Sequence, residues 1–323
     1  MSYVVTIDPC PTKFVGDMVD MILTTDEASL DFQLKRGNEV VLEENYVQSQ
    51  GSVRIGSLDK VIGALLKGEL KNDGSQYGYS DTFTFRIGES TALTKTMCQS
   101  HRANVEDWNG TKHILSPGTM DICYPGKAHP LTFIPQSNKL FTANLYSATG
   151  ALLETINEAD PGVTYTKNCQ PDALFPVNYT NGVRIVYTSG SETFTSFITT
   201  KKYPDSLLFR YLNMYDVPET LLAKKAMKVK PNFTDEVALI NGQQQRFAVQ
   251  PDDEYTISSG AIIGQAQYIQ WHDLTSSRQV EVLWGNRWIP VTITRANYER
   301  TYSPPIVDSV TFSFKMANKK IVI

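Results

Sequence analysis

The chain has 323 residues, with 30 Lys and Arg against 34 Asp and Glu, and a formal net charge of −4. An apolar content of 41% with 11% aromatics is too rich for a disordered chain, and near-neutral charge without basic clusters argues against a dedicated nucleic-acid binder. At roughly 100–200 residues per domain, the length fits two or three domains.

No apolar run reaches the ~18 residues of a membrane-spanning helix. Residues 1–8 lack the basic and apolar regions of a secretory signal, so cytoplasmic synthesis is expected. Cys10, Cys98, Cys123 and Cys169 lie far apart without a C-x-x-C pair and read as reduced, buried thiols. The sequons at Asn109, Asn178 and Asn232 carry weight only in a glycosylating compartment.

In chain order, Asp17–Thr24 is an apolar run, and Ser29–Leu34 places Leu30, Phe32 and Leu34 at alternate positions. Residues 36–38 break that strand before a return strand at Glu39–Tyr46, which is a hairpin pattern. Val53–Ile55 is a short strand. Ser57 then reads as an N-cap, with Leu58, Val61, Ile62, Leu65 and Leu66 at helical spacing and Gly68 closing the helix. Lys71–Ser80 reads as a surface loop. In Asp81–Ile87, Phe83, Phe85 and Ile87 alternate with Thr and Arg, and residues 99–130 read as a long, partly irregular connection.

Two hairpins follow, Leu140–Ser147 with Ala151–Ile156, and Gly182–Thr188 with Glu192–Thr200. Their short, regular spacing is a β-sandwich pattern. Beyond residues 203–205, the chain offers Leu207–Met214, a Lys-rich piece at Leu221–Lys230, and strands around Glu236–Ile240 and Gln245–Gln250. A helix is expected over Gln265–Leu274 with Ile269 and Leu274 inward. The strand Ser309–Met316 puts Val310, Phe312, Phe314 and Met316 on one face. The fold class is all-β, as two or three sandwich-like domains with a few short helices. The expected divisions are 1–88 (β with one helix), 89–202 (sandwich-like) and 203–323 (β-rich, with a helix and a terminal hairpin).

The clearest hairpin is Gln279–Trp284 with Arg287–Thr294, joined by Gly285 and Asn286, a two-residue loop suited to a primed turn. It sets Trp284 opposite Arg287 and Leu283 opposite Trp288, then continues to Val280 opposite Val291. Val280, Val282, Trp284, Ile289, Val291 and Ile293 therefore share a core face, and Trp284 and Trp288 point to opposite faces. Pro290 has no N–H to offer an outer neighbour, so its strand is expected at an edge or ending its outer pairing there. Leu283 and Trp288 form an apolar pair on an otherwise polar face. Either another element of the chain covers them, or they belong with Pro290 to a contact patch for another protein.

Catalytic and metal signatures are missing. Cys98 and His101 are spaced C-x-x-H without a second pair, Cys123 is isolated, and neither His113 nor His129 completes a site, so no metal is expected. His272 and Asp273 are sequence neighbours on a helix and face different ways, which is no dyad. There is no G-x-S-x-G, H-E-x-x-H, G-x-G-x-x-G or P-loop string, and no cofactor is implied. The acidic groups Asp252, Asp253, Glu254 and Glu43, Glu44 read as solvated turns, and Lys224, Lys225, Lys228 and Lys230 as a solubilising face.

The region 207–318 resembles structural proteins of phage or prophage tails. The stretches that carry the likeness are Leu208–Asn213 running into Val217–Thr220, then Val280–Trp284 with Arg287–Thr294, and the closing strand Ser309–Met316. The resemblance implies a β-rich assembly subunit made without a signal peptide, and it carries over no catalytic residues. The expectation is a non-enzymatic structural or assembly protein acting through contacts with other protein subunits or with itself, with Leu283, Trp288 and Pro290 as interface candidates. Its specific form is a phage or prophage tail or baseplate component, resident in the virion. The alternative is a carbohydrate-binding or adhesive surface protein with a glycan partner.

Overall fold

The computed structural model describes residues 2–70, 80–101, 112–134, 139–159, 161–262, 264–297 and 309–317. The expected loop over 71–79 and the sequon at Asn109 lie outside them. Strands take 54% of the described residues and helical segments 11%, so the all-β class is the observed one.

The first part comprises β1 (Tyr3–Ile7), β2 (Met21–Thr25), β3 (Ser29–Arg36), β4 (Glu39–Val47), β5 (Ser52–Ile55), helix α1 (Leu58–Leu65), β6 (Ser80–Ile87) and β7 (Ser90–Cys98). A three-stranded sheet of order β1-β2-β5 and a four-stranded sheet of order β4-β3-β6-β7 share one core. Strict alternation supplies that core: Leu30, Phe32 and Leu34 from β3, Phe83, Phe85 and Ile87 from β6, with Met21 and Leu23 from β2. Leu58 and Ile62 bring α1 onto the same core.

Three details of this part differ from the sequence expectation. The Asp17–Thr24 run is strand only from Met21, because residues 15–17 turn as a short 3-10 segment. Ser57 stands at the N-cap position but with φ of 60°, and its hydroxyl makes no cap bond. Gly68 is not the helix stop, since α1 closes through Leu66 N–H to Ile62 O. The β6–β7 hairpin turns at residues 88–89, and the four-stranded sheet continues to Cys98.

The middle part comprises β8 (Met120–Cys123), β9 (Pro130–Phe133), β10 (Lys139–Ser147), β11 (Leu152–Ala159), β12 (Tyr165–Asn168), a single helical turn α2 (Pro171–Leu174), β13 (Gly182–Ser189) and β14 (Glu192–Ile198). Its five-stranded sheet runs β11-β10-β13-β14-β8, so the connection expected to be irregular contributes an edge strand, β8, parallel to β14. The β9–β12 pair joins the same core through Leu131 and Phe133, and Phe133 stacks on Phe141 at 4.4 Å.

The last part comprises β15 (Leu207–Leu212), β16 (Pro218–Ala223), β17 (Lys228–Lys230), β18 (Phe233–Ile240), β19 (Gln243–Pro251), β20 (Glu254–Ser258), α3 (Gly264–Ser276), β21 (Val280–Trp284), β22 (Arg287–Asn297) and β23 (Thr311–Met316). Seven strands form one sheet of order β16-β15-β21-β22-β23-β20-β17, while β18 and β19, among the described residues, pair only with each other. The β21–β22 register is the one the sequence predicts, from Trp284 opposite Arg287 to Val280 opposite Val291. Gly285 and Asn286 both have positive φ, 51° and 65°, as a primed turn requires. Val280, Val282, Ile289 and Val291 lie in a core with Phe312, Phe314 and Trp271.

Pro290 is not on an edge strand. β22 is central, and β23 pairs with it from Val291 onward. The outer ladder stops at Pro290, whose carbonyl accepts the Ala317 N–H at 2.9 Å. The missing donor thus ends a ladder instead of exposing a strand. Helix α3 also departs from expectation: Leu274 points inward as expected, but Ile269 is half-buried, and Trp271 with Gln267, Gln270 and Asp273 fills the inner side.

Gly68 meets the last part of the chain at close range. A Cβ there would lie 2.1 Å from the carbonyl oxygen of Asp216. Gly68→Ala is therefore expected to lower stability by about 1–3 kcal/mol through overpacking, measured as a shift of the denaturant midpoint.

Candidate assembly surface

A buried turn brings the three parts of the chain together. Between β15 and β16, residues 213–217 fold back with Asn213 N–H donating to Val217 O and the Asn213 side chain accepting the Tyr215 N–H at 2.9 Å. All five residues are buried, and Met214, Tyr215 and Val217 pack with Phe14 and Cys98 of the first part and Leu115 of the middle part.

Asp216, at φ of 56°, turns its carboxylate into the joint. His101 Nε2 lies 2.6 Å from Oδ1, Arg278 donates to both oxygens at 3.0 and 2.9 Å, and Gly68 N–H reaches Oδ2 at 3.2 Å. Burial raises the Asp216 carboxyl, but the His101 and Arg278 hydrogen bonds together outweigh it and hold the group below the usual carboxylate value. Further bonds bind the turn to its surroundings. Asn213 Nδ2 donates to Leu115 O at 2.8 Å, and Asp273 on α3 accepts Met214 N–H at 2.8 Å. Sequence reasoning missed this cluster, because its members lie up to 210 positions apart; the one local signal was the polar Asn213 and Asp216 inside an apolar stretch.

Two other buried acids sit nearby, both with raised carboxyls. Glu219 accepts from the Ser116 hydroxyl and from Tyr211 OH at 2.6 Å, and burial pushes its carboxyl up to about 8. Asp121 faces His129 Nε2 at 3.3 Å; burial raises the acid to about 7 and lowers the imidazole to about 4, so the proton stays on Asp121.

These shifts set a pH dependence. A carboxyl raised from an unfolded value of about 4 stabilises the fold fully below that value and loses its contribution as pH rises through the folded one. His129 acts in the opposite sense, with its contribution complete above about pH 6.5. Between about pH 6.5 and about 8, where Glu219 titrates, stability is expected to fall. Glu219→Gln is expected to flatten that slope, as read from urea midpoints across the interval.

The interface candidates separate. Leu283 and Trp288 face each other across the hairpin, as the register demands. Both are half-buried against Tyr124, Leu208 and Leu222, with Ile122 and Tyr203 beside them. The Arg210 guanidinium lies 4.6 Å from the Trp288 ring centroid and pairs with Glu281. Elements of the same chain therefore cover this pair, while Pro290 is exposed. Trp284 packs on the opposite, core face, 6.1 Å from Tyr255. Trp288→Asp is expected to cost about 2 kcal/mol of fold stability, the worth of a partly buried aromatic contact; a thermal melt checks it.

The remaining candidates are dispersed. His101 is held by Asp216, and burial pushes the Cys98 thiol up to about 12. All four cysteines are buried and unbridged. His272 is exposed and Asp273 buried, so the neighbours do point apart. Asp252 pairs with Lys315, and Glu254 accepts from Thr294. A groove of about 580 Å³ between α1 and residues 99–101, lined by Lys60, Gly63, Lys67 and Gln99, gathers none of these acids. Among the described residues no helix is long and apolar enough to cross a membrane.

The β18–β19 ribbon carries exposed apolar side chains. It continues the β17–β20 pair past residues 231–232 and 252–253, where Asp252 N–H donates to Asn232 O at 2.8 Å. Its tip, Asn241 and Gly242, has positive φ at both residues. Phe233, Val237 and Leu239 share one face and are 55%, 53% and 73% exposed; Ile240 is exposed on the other face. The strands were legible in the sequence, but their departure from the sheet was not.

No family model matches the chain, and no curated protein matches it. Among solved structures, a chain of the virion of a native gene transfer agent particle is similar over 37% of this chain and 95% of that one. The identity is 12% and the TM-score 0.26, too low to carry an argument about role.

Proposed function

We propose that this chain is a non-enzymatic structural subunit that works through protein–protein contacts. The observation that carries the reading is the bare apolar surface of the β18–β19 arm, with Val237 and Leu239 more than half exposed. A two-stranded ribbon is marginal by itself in water, and a partner that covers large exposed side chains stabilises both the ribbon and the complex. Because the same chain covers Leu283 and Trp288, the contact surface moves from that pair to the arm.

Two further observations support the reading. The buried acids Asp216 and Glu219 are engaged in joining parts of the fold, through Gly68 and His101 in one case and Ser116 in the other. Trp284 and Trp288 lie on opposite faces and give a glycan no common platform. The specific form of the proposal is a tail or baseplate component of a phage or prophage particle, with other protein subunits as partners and the virion as its place. The sequence resemblance of residues 207–318 supports it.

Sedimentation velocity of the purified chain, alone and as isolated from its host, tests the proposal. Self-association or a stoichiometric copurifying protein is expected. A strict monomer with no partner at any concentration would overturn it.

A further inference from the structure

Beyond the assembly reading, and apart from the β18–β19 arm, we infer that the groove between α1 and residues 99–101 binds an extended acidic segment of a partner protein. The groove's volume of about 580 Å³ lies within the range of ligand sites. On one side Lys60, Gly63, Ala64 and Lys67 recur at the spacing of a single helix stripe, so two small residues leave room between two lysines. On the other side residues 99–101 follow β7 and are tied to the Asp216 joint. His101 N–H donates to Met214 O at 2.8 Å, and His101 Nε2 is held by Asp216. That wall is therefore in position before any ligand arrives.

Gln99 lines this groove with its hydrogen-bonding capacity unmet. It is 5% exposed, its Oε1 is shielded from water, and neither end of its carboxamide is hydrogen-bonded among the described residues. Buried polar side chains as a rule have partners, so an orphaned amide in a groove wall marks a place for one. Gly63 keeps the approach open: a Cβ there would stand 3.5 Å from Oε1 and 3.8 Å from Nε2. A carboxamide presents an acceptor and a donor side by side. One residue of an extended peptide meets both, because its own N–H and C=O point to the same side. A dicarboxylate brings no donor to Oε1, and phosphate brings no pair in that arrangement.

Charge makes that peptide an acidic one. The Lys60 and Lys67 side chains are exposed and in no ion pair among the described residues. Asp59 is the one acid among the described lining residues, so ammonium groups outnumber carboxylates there. Seven positions at about 1.5 Å each root the two lysines roughly 10 Å apart. In an extended peptide, the side chains on either side of the residue held by Gln99 share a face and stand about 7 Å apart. Two flexible lysine stems span that difference. The ligand is thus an extended segment with acids at alternate positions, its central residue on Gln99 and an acid toward each lysine.

Fluorescence anisotropy of the full chain with the fluorescein-labelled peptide Ala-Glu-Ala-Glu-Ala-amide tests this. Saturable binding is expected at low salt, and the same peptide with Gln in place of both Glu residues should bind about tenfold more weakly. An equal concentration of glutarate or inorganic phosphate should leave the peptide bound. Lys60→Glu/Lys67→Glu, at two exposed positions, should abolish binding with an unchanged melting temperature. Gln99→Met keeps the buried volume and removes the orphaned oxygen, so it should melt no lower than the wild type while binding about tenfold more weakly. Gly63→Ala, whose Cβ would make an ordinary 3.4 Å contact with Val15, should fold equally well and also bind less. Absence of binding up to about 1 mM peptide, equal displacement by glutarate or phosphate, or full affinity in the folded lysine or Gln99 variant would each overturn the site. Sedimentation decides the assembly reading separately, since a strict monomer that still bound the peptide would overturn that reading and leave the groove assigned.

Discussion

The carboxylate of Asp216 is the constraint on which the rest of the molecule depends. It is fully buried, and a buried charge persists only where opposite charge and hydrogen bonds replace lost water. Here the replacements come from three places in the chain: the Gly68 backbone after α1, His101 after β7, and Arg278 between α3 and β21. Meeting the needs of one side chain therefore fixes the N-terminal sandwich against the C-terminal sheet. The same turn holds the middle part through Asn213 and Leu115.

That joint explains which surfaces are spent and which remain. With the middle part held against the seven-stranded sheet, Ile122 and Tyr124 settle over Leu208, Leu222, Leu283 and Trp288, and an apolar pair that stood out on a polar face becomes an internal contact. The arm keeps Phe233, Val237 and Leu239 exposed. Among the described residues, no third strand pairs with β18 or β19. The buried acids make the joint pH-sensitive, because burial raises the carboxyls of Glu219 and Asp121.

Local pattern determined much of this protein. Alternation at Leu30, Phe32 and Leu34, or at Phe83, Phe85 and Ile87, specifies a strand and its buried face, because side chains reverse at every residue. The two-residue loop at Gly285 and Asn286 specified the β21–β22 register and the opposed tryptophans, since a primed turn leaves one pairing. These features depend on neighbours within about ten positions along the chain.

Tertiary structure alone decided the rest. Whether Pro290 ended a ladder or marked an edge depended on the arrival of β23 beside β22. Whether residues 213–217 formed a wet surface turn or a dry joint depended on His101 and Arg278, far away in sequence. Whether β18 and β19 had a third strand or a cover depended on where the sheet stopped. Burial and pairing at these sites come from long-range packing, and a residue's own neighbours in the chain carry no record of what the fold brings against it.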